Sequence, residues 1–178
     1  VYSGLVAHRE HVDLFVKSMP RILKKAEAAK FYITRKGEAL SGIRKLSKTL
    51  RVNPIYFWYP SIDDFYEFLS SCHVGVLPST NDLARKMGTP VKLFDYLSAG
   101  LPVVANDVGT WSNIIKNEKV GKVTEDNPAD FASGILELVQ SEDMVEECGR
   151  RGLELVTNKF NWDSSAKILL QAYKSLLN

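Results

Sequence analysis

Cysteine is scarce in this chain: Cys72 and Cys148 are the two among 178 residues, and both fall in stretches that read as helical. Without density or paired spacing they exclude a disulfide framework and a cysteine-built zinc site, and a reducing, cytoplasmic setting is expected. A one-sided charge is lacking too. Lys and Arg number 23 against 21 Asp and Glu, so no strong overall field draws in nucleic acid or an anionic membrane, and any phosphate binding has to be local. No apolar run approaches the roughly 18 residues needed to span a bilayer, and no signal peptide is expected. Repeats, low-complexity tracts and linker-like stretches are missing, so residues 1–178 are expected to form one domain. The phosphate-binding patterns G-x-G-x-x-G and G-x-x-x-x-G-K-[ST] are missing as well, which argues against a dinucleotide oxidoreductase and a P-loop hydrolase.

What the chain has is apolar residue in quantity, 45% of the total, enough to bury one core. Short β-rich runs alternate with helical periodicity over about two-thirds of the length, the pattern of a parallel sheet covered by helices. Six strands are expected, at Val1 to Ser3, Phe31 to Thr34, Ile55 to Tyr59, Val74 to Leu77, Val103 to Asn106 and Lys122 to Thr124. The fold class is α/β, a doubly wound sheet of order 3-2-1-4-5-6 with extra C-terminal helices. Val12, Phe15, Val16, Met19, Ile22, Leu23 and Ala26 recur at helical spacing, with Pro20 expected to kink the helix. A second helix is expected from Ser41 to about Leu50, and a third from Ser61, where Asp64 completes a capping-box pattern. A fourth runs from Pro90, suited to the first turn, to Ala99, with Gly100 beyond its end. Asn127-Pro128, Ser141 and Asn161 are the expected starts of three closing helices. The opening VYSGLV reads as a strand entering a turn, without initiator Met, so a preceding domain is expected to belong to the same protein.

In a sheet of this order the winding reverses between strands 1 and 4, opening a crevice at their carboxyl ends. The loops Gly4 to His11 and Pro78 to Thr89 face it. The second is long for its kind and polar, carries Arg85 and Lys86, and leads into a helix whose first turn holds Pro90, Val91 and Lys92. A helix N-terminus favours an acid, so Lys92 there costs roughly 0.3 to 1 kcal/mol unless something anionic compensates. Two uses fit: an anion site built on that helix start, or a Lys92 that reaches out to water beside a solvated loop. Asp95, one turn on, is placed for sugar hydroxyls or for an ion pair. Arg9 offers a second phosphate contact or decorates the surface. His8 and His11 are three apart but lack a third ligand, so no metal is expected. Phe57, Trp58 and Tyr59 read as strand residues packed under helices, and Trp111 and Trp162 as core.

The stretch HVGVLPSTNDLARKMGTPVKLFDYLSAGLPVVANDVG, His73 to Gly109, resembles the C-terminal domain of glycosyltransferase family 4, the group 1 transferases of the GT-B fold. There a strand ending in Pro-Ser, here Pro78-Ser79, a variable loop and a helix of the type P-x-K-L-x-E-Y-x-A-x-G-x-P-V-V form the donor site; this chain has PVKLFDYLSAGLPVV. The resemblance extends to VYSGLV, IYFWYPSIDDFYEFL and FNWDSSAKILLQAY. It implies the second of two facing Rossmann-like domains and transfer of a sugar, with retention, from a nucleoside-diphosphate sugar to an acceptor hydroxyl, with no metal or other cofactor.

By the same resemblance, Thr89, Pro90, Val91 and Lys92 would hold the diphosphate and Asp95 the ribose. Main-chain groups from Tyr59 through Ser61 and Ile62 would meet the base. The missing first domain would be the partner, carrying the acceptor site and any peripheral membrane contact, and this part alone is expected to turn over little. The chain departs from the pattern at several positions. Met87 stands where the first acid of E-x7-E belongs, Asp95 replaces the second Glu, and Leu5 and Glu10 fall near the Arg and Lys of the strand-1 signature. A subset with N-D-L-x-R before the P-x-K-L helix is the better match, and there Arg85 and Lys92 would carry the basic role. The rival reading is a non-catalytic half kept for nucleotide binding or assembly. An epimerase of the same two-domain fold ranks behind both.

Overall fold

The structure is a computed structural model that describes residues 1–177. Its β-structure comes in two parallel pieces. Tyr32–Thr34 (β1) pairs with Ile55–Phe57 (β2), and Gly75–Leu77 (β3), Val103–Asn106 (β4) and Gly121–Thr124 (β5) pair in that order. The expected single six-stranded sheet is therefore corrected to five strands in two sheets. Val1 to Ser3 is the joint between them. Tyr2 bridges Ile33, its N–H donating to Tyr32 O at 2.9 Å, while Val76 N–H donates to Val1 O at 2.9 Å. Across the joint the order runs β2, β1, Val1 to Ser3, β3, β4, β5.

Tyr96 is the physical reason the joint is not a full strand. Its fully buried hydroxyl accepts from Ser3 N–H at 2.8 Å and donates to Val76 O at 3.2 Å, lying where a direct ladder bond would run. The ring reaches that place because residue 75 is glycine: a Cβ there would lie 2.5 Å from the Tyr96 ring. Gly4, at φ +119°, then turns the chain away in a conformation that side chains with a Cβ rarely adopt.

Side-chain alternation along the strands divides the core in two. Val104 of β4 points to a cluster with Phe15, Met19 and Ile22 of Val12–Leu23 (α1) and Phe131 and Ile135 of Pro128–Val139 (α7). Val103 and Ala105 point to the opposite cluster with Leu93, Tyr96 and Leu97. That second cluster is completed by Phe65 and Leu69 of Ile62–Ser70 (α3), Trp111 and Ile115 of Gly109–Glu118 (α6), and Leu155 of Glu142–Asn158 (α8). Each Val, Leu, Ile, Phe or Met side chain among them contributes roughly 1.5 to 3 kcal/mol by leaving water.

The remaining helices are Leu40–Thr49 (α2), Leu83–Met87 (α4), Val91–Ser98 (α5) and Trp162–Leu177 (α9). The capping box at Ser61 forms as expected, with Asp64 N–H donating to Ser61 Oγ at 3.1 Å and Ser61 N–H to Asp64 Oδ2 at 3.1 Å. Asn127 and Ser141 cap α7 and α8, and Asn161 Oδ1 accepts from Ser164 N–H at 2.8 Å at the start of α9. Pro90 is the residue before α5 rather than its first turn, with extended backbone at ψ 133°. Two helices were not expected. α4 lies inside the long loop, its start capped by Asp82, and α6 opens without any side-chain cap, Val108 preceding a Gly109 held at φ +70°. Trp162 is a further correction. It is 75% exposed and no residue of α9 is buried, because that helix lies outside both clusters. Cys72 and Cys148 are free, and Cys72 falls just past the end of α3 rather than within a helix. Among the described residues no helix is long and apolar enough to cross a membrane.

Candidate functional site

Two connections at the carboxyl ends of the central strands define the site. After Val1 to Ser3 the chain passes Gly4 and forms a short 3-10 turn, His8–Glu10. After β3 it runs through Ser79 and Thr80 into α4 and α5. Arg9 O ties the two, accepting from Thr80 N–H at 3.3 Å and from Thr80 Oγ1 at 2.9 Å. Beneath them Asn106, fully buried at the end of β4, takes Ser79 N–H on its Oδ1 at 2.9 Å and donates its amide to Ser79 O at 2.8 Å. The ends of β3 and β4 are thereby held in one geometry.

On this frame Lys92, in the first turn of α5, neither reaches into water nor lacks an anion. Its ammonium lies 2.5 Å from Glu10 Oε2, donates to Tyr2 Oη at 3.0 Å and stands 4.5 Å over the Tyr2 ring. Arg85 of α4 pairs with the other oxygen, Glu10 Oε1. The three side chains are 13%, 20% and 10% exposed for Lys92, Arg85 and Glu10, so the cluster is largely withdrawn from solvent. Burial favours the uncharged form of Glu10, but Lys92 and then Arg85 outweigh it and hold the carboxyl below the usual carboxylate range. Burial likewise lowers the Lys92 ammonium, with Glu10 opposing. The Tyr2 hydroxyl is pushed well above its ordinary range, first by burial and then by Glu10.

The other expected residues fall at varying distances from this centre. Arg9 is exposed, its Nε 3.7 Å from Glu10 Oε1. Thr89 is exposed, its Oγ1 3.1 Å from Thr110 Oγ1. Val91 is 73% exposed at the first position of α5. No side chain caps this helix start, and although Leu93 N–H turns back to Pro90 O at 3.1 Å, the N–H groups of Val91 and Lys92 are available to an external acceptor. Ser79 is buried and its main chain is taken up by Asn106. Asp95 is half-buried and accepts from Tyr66 Oη of α3 at 3.0 Å. Burial raises its carboxyl, against Tyr66 and Lys92. Ser61 and Ile62 stand apart at the exposed start of α3, and no hydrogen bond among the described residues joins them to the Lys92 cluster. Lys86 is exposed, in keeping with a solvated loop.

The aromatic run divides, and of it only Phe57 belongs to a strand, β2. Phe57 and Tyr59 pack on α3, 4.4 Å from Phe68 and 4.4 Å from Phe65, whereas Trp58 is 46% exposed and stacks on Tyr59. His11 is held between Asp13 and Asp126, each 3.0 Å away. Among the described residues no group of three His, Cys, Asp or Glu is arranged to hold a metal ion. Glu10 and Tyr2 were absent from the expected site. The signal for them was indirect: a lysine at a helix start, with no acid in that first turn, is unfavourable unless an anion compensates.

Parallel strands flanked by helices on both faces, with a basic pair at the strand ends, define a Rossmann-like α/β domain. Residues 1–141 match the family model described as glycosyl transferases group 1. The chain belongs to that family. It is 25% identical over 177 residues to an uncharacterized glycosyltransferase of Methanocaldococcus jannaschii, the match covering 98% of this chain and 44% of that protein. It is 24% identical over 173 residues to the GDP-mannose-dependent alpha-(1-6)-phosphatidylinositol monomannoside mannosyltransferase of Mycobacterium tuberculosis, covering 89% and 42%. The chain thus spans less than half the length of these curated relatives. Among solved structures, TarM of S. aureus, in a complex that includes UDP, superposes with a TM-score of 0.80 at 23% identity, covering 96% of this chain and 34% of that one. The pneumococcal O-GlcNAc transferase GtfA, with UDP and GlcNAc, gives 0.74 at 18% identity, covering 98% and 34%. At these identities the superpositions speak for the GT-B-type fold.

Proposed function

We propose that this chain is the donor-binding domain of a glycosyltransferase, taking a nucleoside-diphosphate sugar whose phosphates lie at the start of α5. The observation that carries the reading is the convergence of Lys92, Arg85 and the uncapped α5 N-terminus at the carboxyl ends of the central strands. As the glycosidic bond breaks, negative charge grows on the departing diphosphate. Preorganised N–H groups and the two cations stabilise it most in the transition state, without a metal. Asp95 would take the ribose, and main-chain groups near Ser61 and Ile62 the base. Retention at the anomeric carbon, an acceptor half elsewhere in the protein and a cytoplasmic location complete the reading. The donors and bound nucleotides named for the relatives, GDP-mannose and UDP, are of the class it requires.

Calorimetric titration with UDP, GDP and ADP and their sugar conjugates tests it. One nucleotide is expected to saturate, with affinity falling about tenfold in Lys92→Ala and in Arg85→Ala, the worth of one charge-assisted hydrogen bond. A folded chain that saturates with none of them overturns the reading. Glu10 favours a second one, a module kept for assembly, because it already occupies both cations. Failure of all nucleotides in the longer protein would select it.

A further inference from the structure

The basic pair at the start of α5 is already neutralised from within. Lys92 and Arg85 meet on the two oxygens of one carboxylate, Glu10, and the cluster is mostly closed to water. A carboxylate held by two cations beside free helix N–H groups has the charge and the acceptor geometry of a phosphate oxygen pair. We propose that Glu10 is an internal stand-in for the donor phosphate and lowers the affinity of this site for it. It competes with the incoming anion for Lys92 and Arg85. The inference rests on the reading of this crevice as the donor-phosphate site.

Charge counting gives the direction. Lys92 and Arg85 supply two positive charges, Glu10 removes one, and Arg9 adds one at the exposed rim. A diphosphate diester brings two negative charges into a place that, with Glu10 present, offers one buried positive charge net. The ligand must therefore displace the carboxylate or tolerate it at close range, and in a site of reduced dielectric either step weakens binding. Exchange is geometrically available because Glu10 is carried by a three-residue 3-10 turn rather than by a strand or long helix. Tyr2 Oη, which donates to Leu5 O at 2.7 Å and lies 3.4 Å from Glu10 Oε2, is a second acceptor that keeps Lys92 in place. A charge-neutral side chain at position 10 would leave the two cations positioned but without their internal anion.

The test compares the unsubstituted chain with Glu10→Gln, titrating each with inorganic pyrophosphate and with UDP, GDP and ADP at fixed ionic strength. Glu10→Gln is expected to bind pyrophosphate and the preferred nucleotide about tenfold more tightly or better, and pyrophosphate is expected to raise its melting temperature more than that of the parent. Equal or weaker binding by Glu10→Gln, with the parent still saturating, would overturn the proposal while leaving the donor reading intact, Glu10 then being a holder of the cations. A gain for pyrophosphate with no nucleotide bound by either protein would uphold the internal anion and sink the donor reading. Absence of binding by both proteins to every ligand sinks both. If Glu10→Gln does not fold, Glu10→Asp, which keeps the charge and retracts it by one methylene, is expected to tighten pyrophosphate binding by a smaller factor, and no tightening would count against the proposal.

Discussion

At the scale of single residues, the site depends on buried polar groups whose partners come from distant parts of the chain. Asn106 is the clearest case, because one side chain satisfies both main-chain groups of Ser79 at the mouth of the crevice. Asn106→Leu would fill similar volume but leave a buried N–H and C=O without partners, and is expected to cost about 2 kcal/mol or more. A lower urea midpoint at unchanged slope would report it; an unchanged midpoint would mean that water or a shift of the loop replaces both bonds. Lys92 shows how far such pairings are legible beforehand. Its position in a first turn left two readings, an anion site or a lysine reaching into water; the structure pairs it with a carboxylate from within the chain, and that partner, Glu10, lies 82 residues away where nothing in local spacing selects it. Asp95 was readable as a residue facing the helix start, whereas its bond to Tyr66 comes from α3 and could not be read from α5.

At the scale of elements, what the sequence made legible was whatever is decided locally. The starts of α3, α7, α8 and α9 carry their own capping side chains and fall where expected. β4 coincides with its expected span, Val103 to Asn106. What could not be read depends on contacts across the fold. α6 opens on Val108 and Gly109 and is held by Trp111 and Ile115 in the core, a tertiary cause with no start signal. Val1 to Ser3 has strand propensity, yet the Tyr96 hydroxyl intervenes in its pairing with β3. α9 is the opposite case, an element with clear periodicity and no burial: Trp162, Ile168, Tyr173, Leu176 and Leu177 are all more than half exposed. Most helical stability comes from packing of an apolar face, so α9 contributes little to this domain. Truncation after Asn161 is expected to change the unfolding free energy by less than about 0.5 kcal/mol. A loss of several kcal/mol on chemical denaturation would show instead that α9 is part of the cooperative unit.

At the scale of the whole molecule, the first strand-end turn is fastened to the connection after β5 by a charge cluster centred on His11. His11, itself at φ +49°, joins Asp13 at the start of α1 to Asp126 in the connection between β5 and α7, and Lys17 adds a 2.7 Å pair to Asp13. The hydrogen bond to Asp13 is the main cause that raises the His11 imidazolium above its ordinary 6.5, burial opposing and Asp126 assisting. The same bond, with Lys17 assisting against burial, holds the Asp13 carboxyl well below its ordinary 3.8. The signs are opposite. A raised histidine contributes stability that is complete below pH 6.5 and is lost as pH climbs through its folded value. A lowered aspartate contributes stability that is complete above pH 3.8 and is lost as pH falls toward its folded value. The cluster is therefore at full strength between those two limits. Because Asp13 and Asp126 are about a third or more exposed, solvent screening keeps its worth below about 1 kcal/mol. His11→Asn keeps a residue that tolerates the left-handed backbone and removes the titrating group. The parent is expected to lose stability relative to His11→Asn as pH rises above 6.5, the difference shrinking as salt rises. Parallel stability curves for the two proteins over that range would show that the fastening of this turn does not depend on the imidazolium, leaving Arg9 O with Thr80 as the tie that holds it over the crevice.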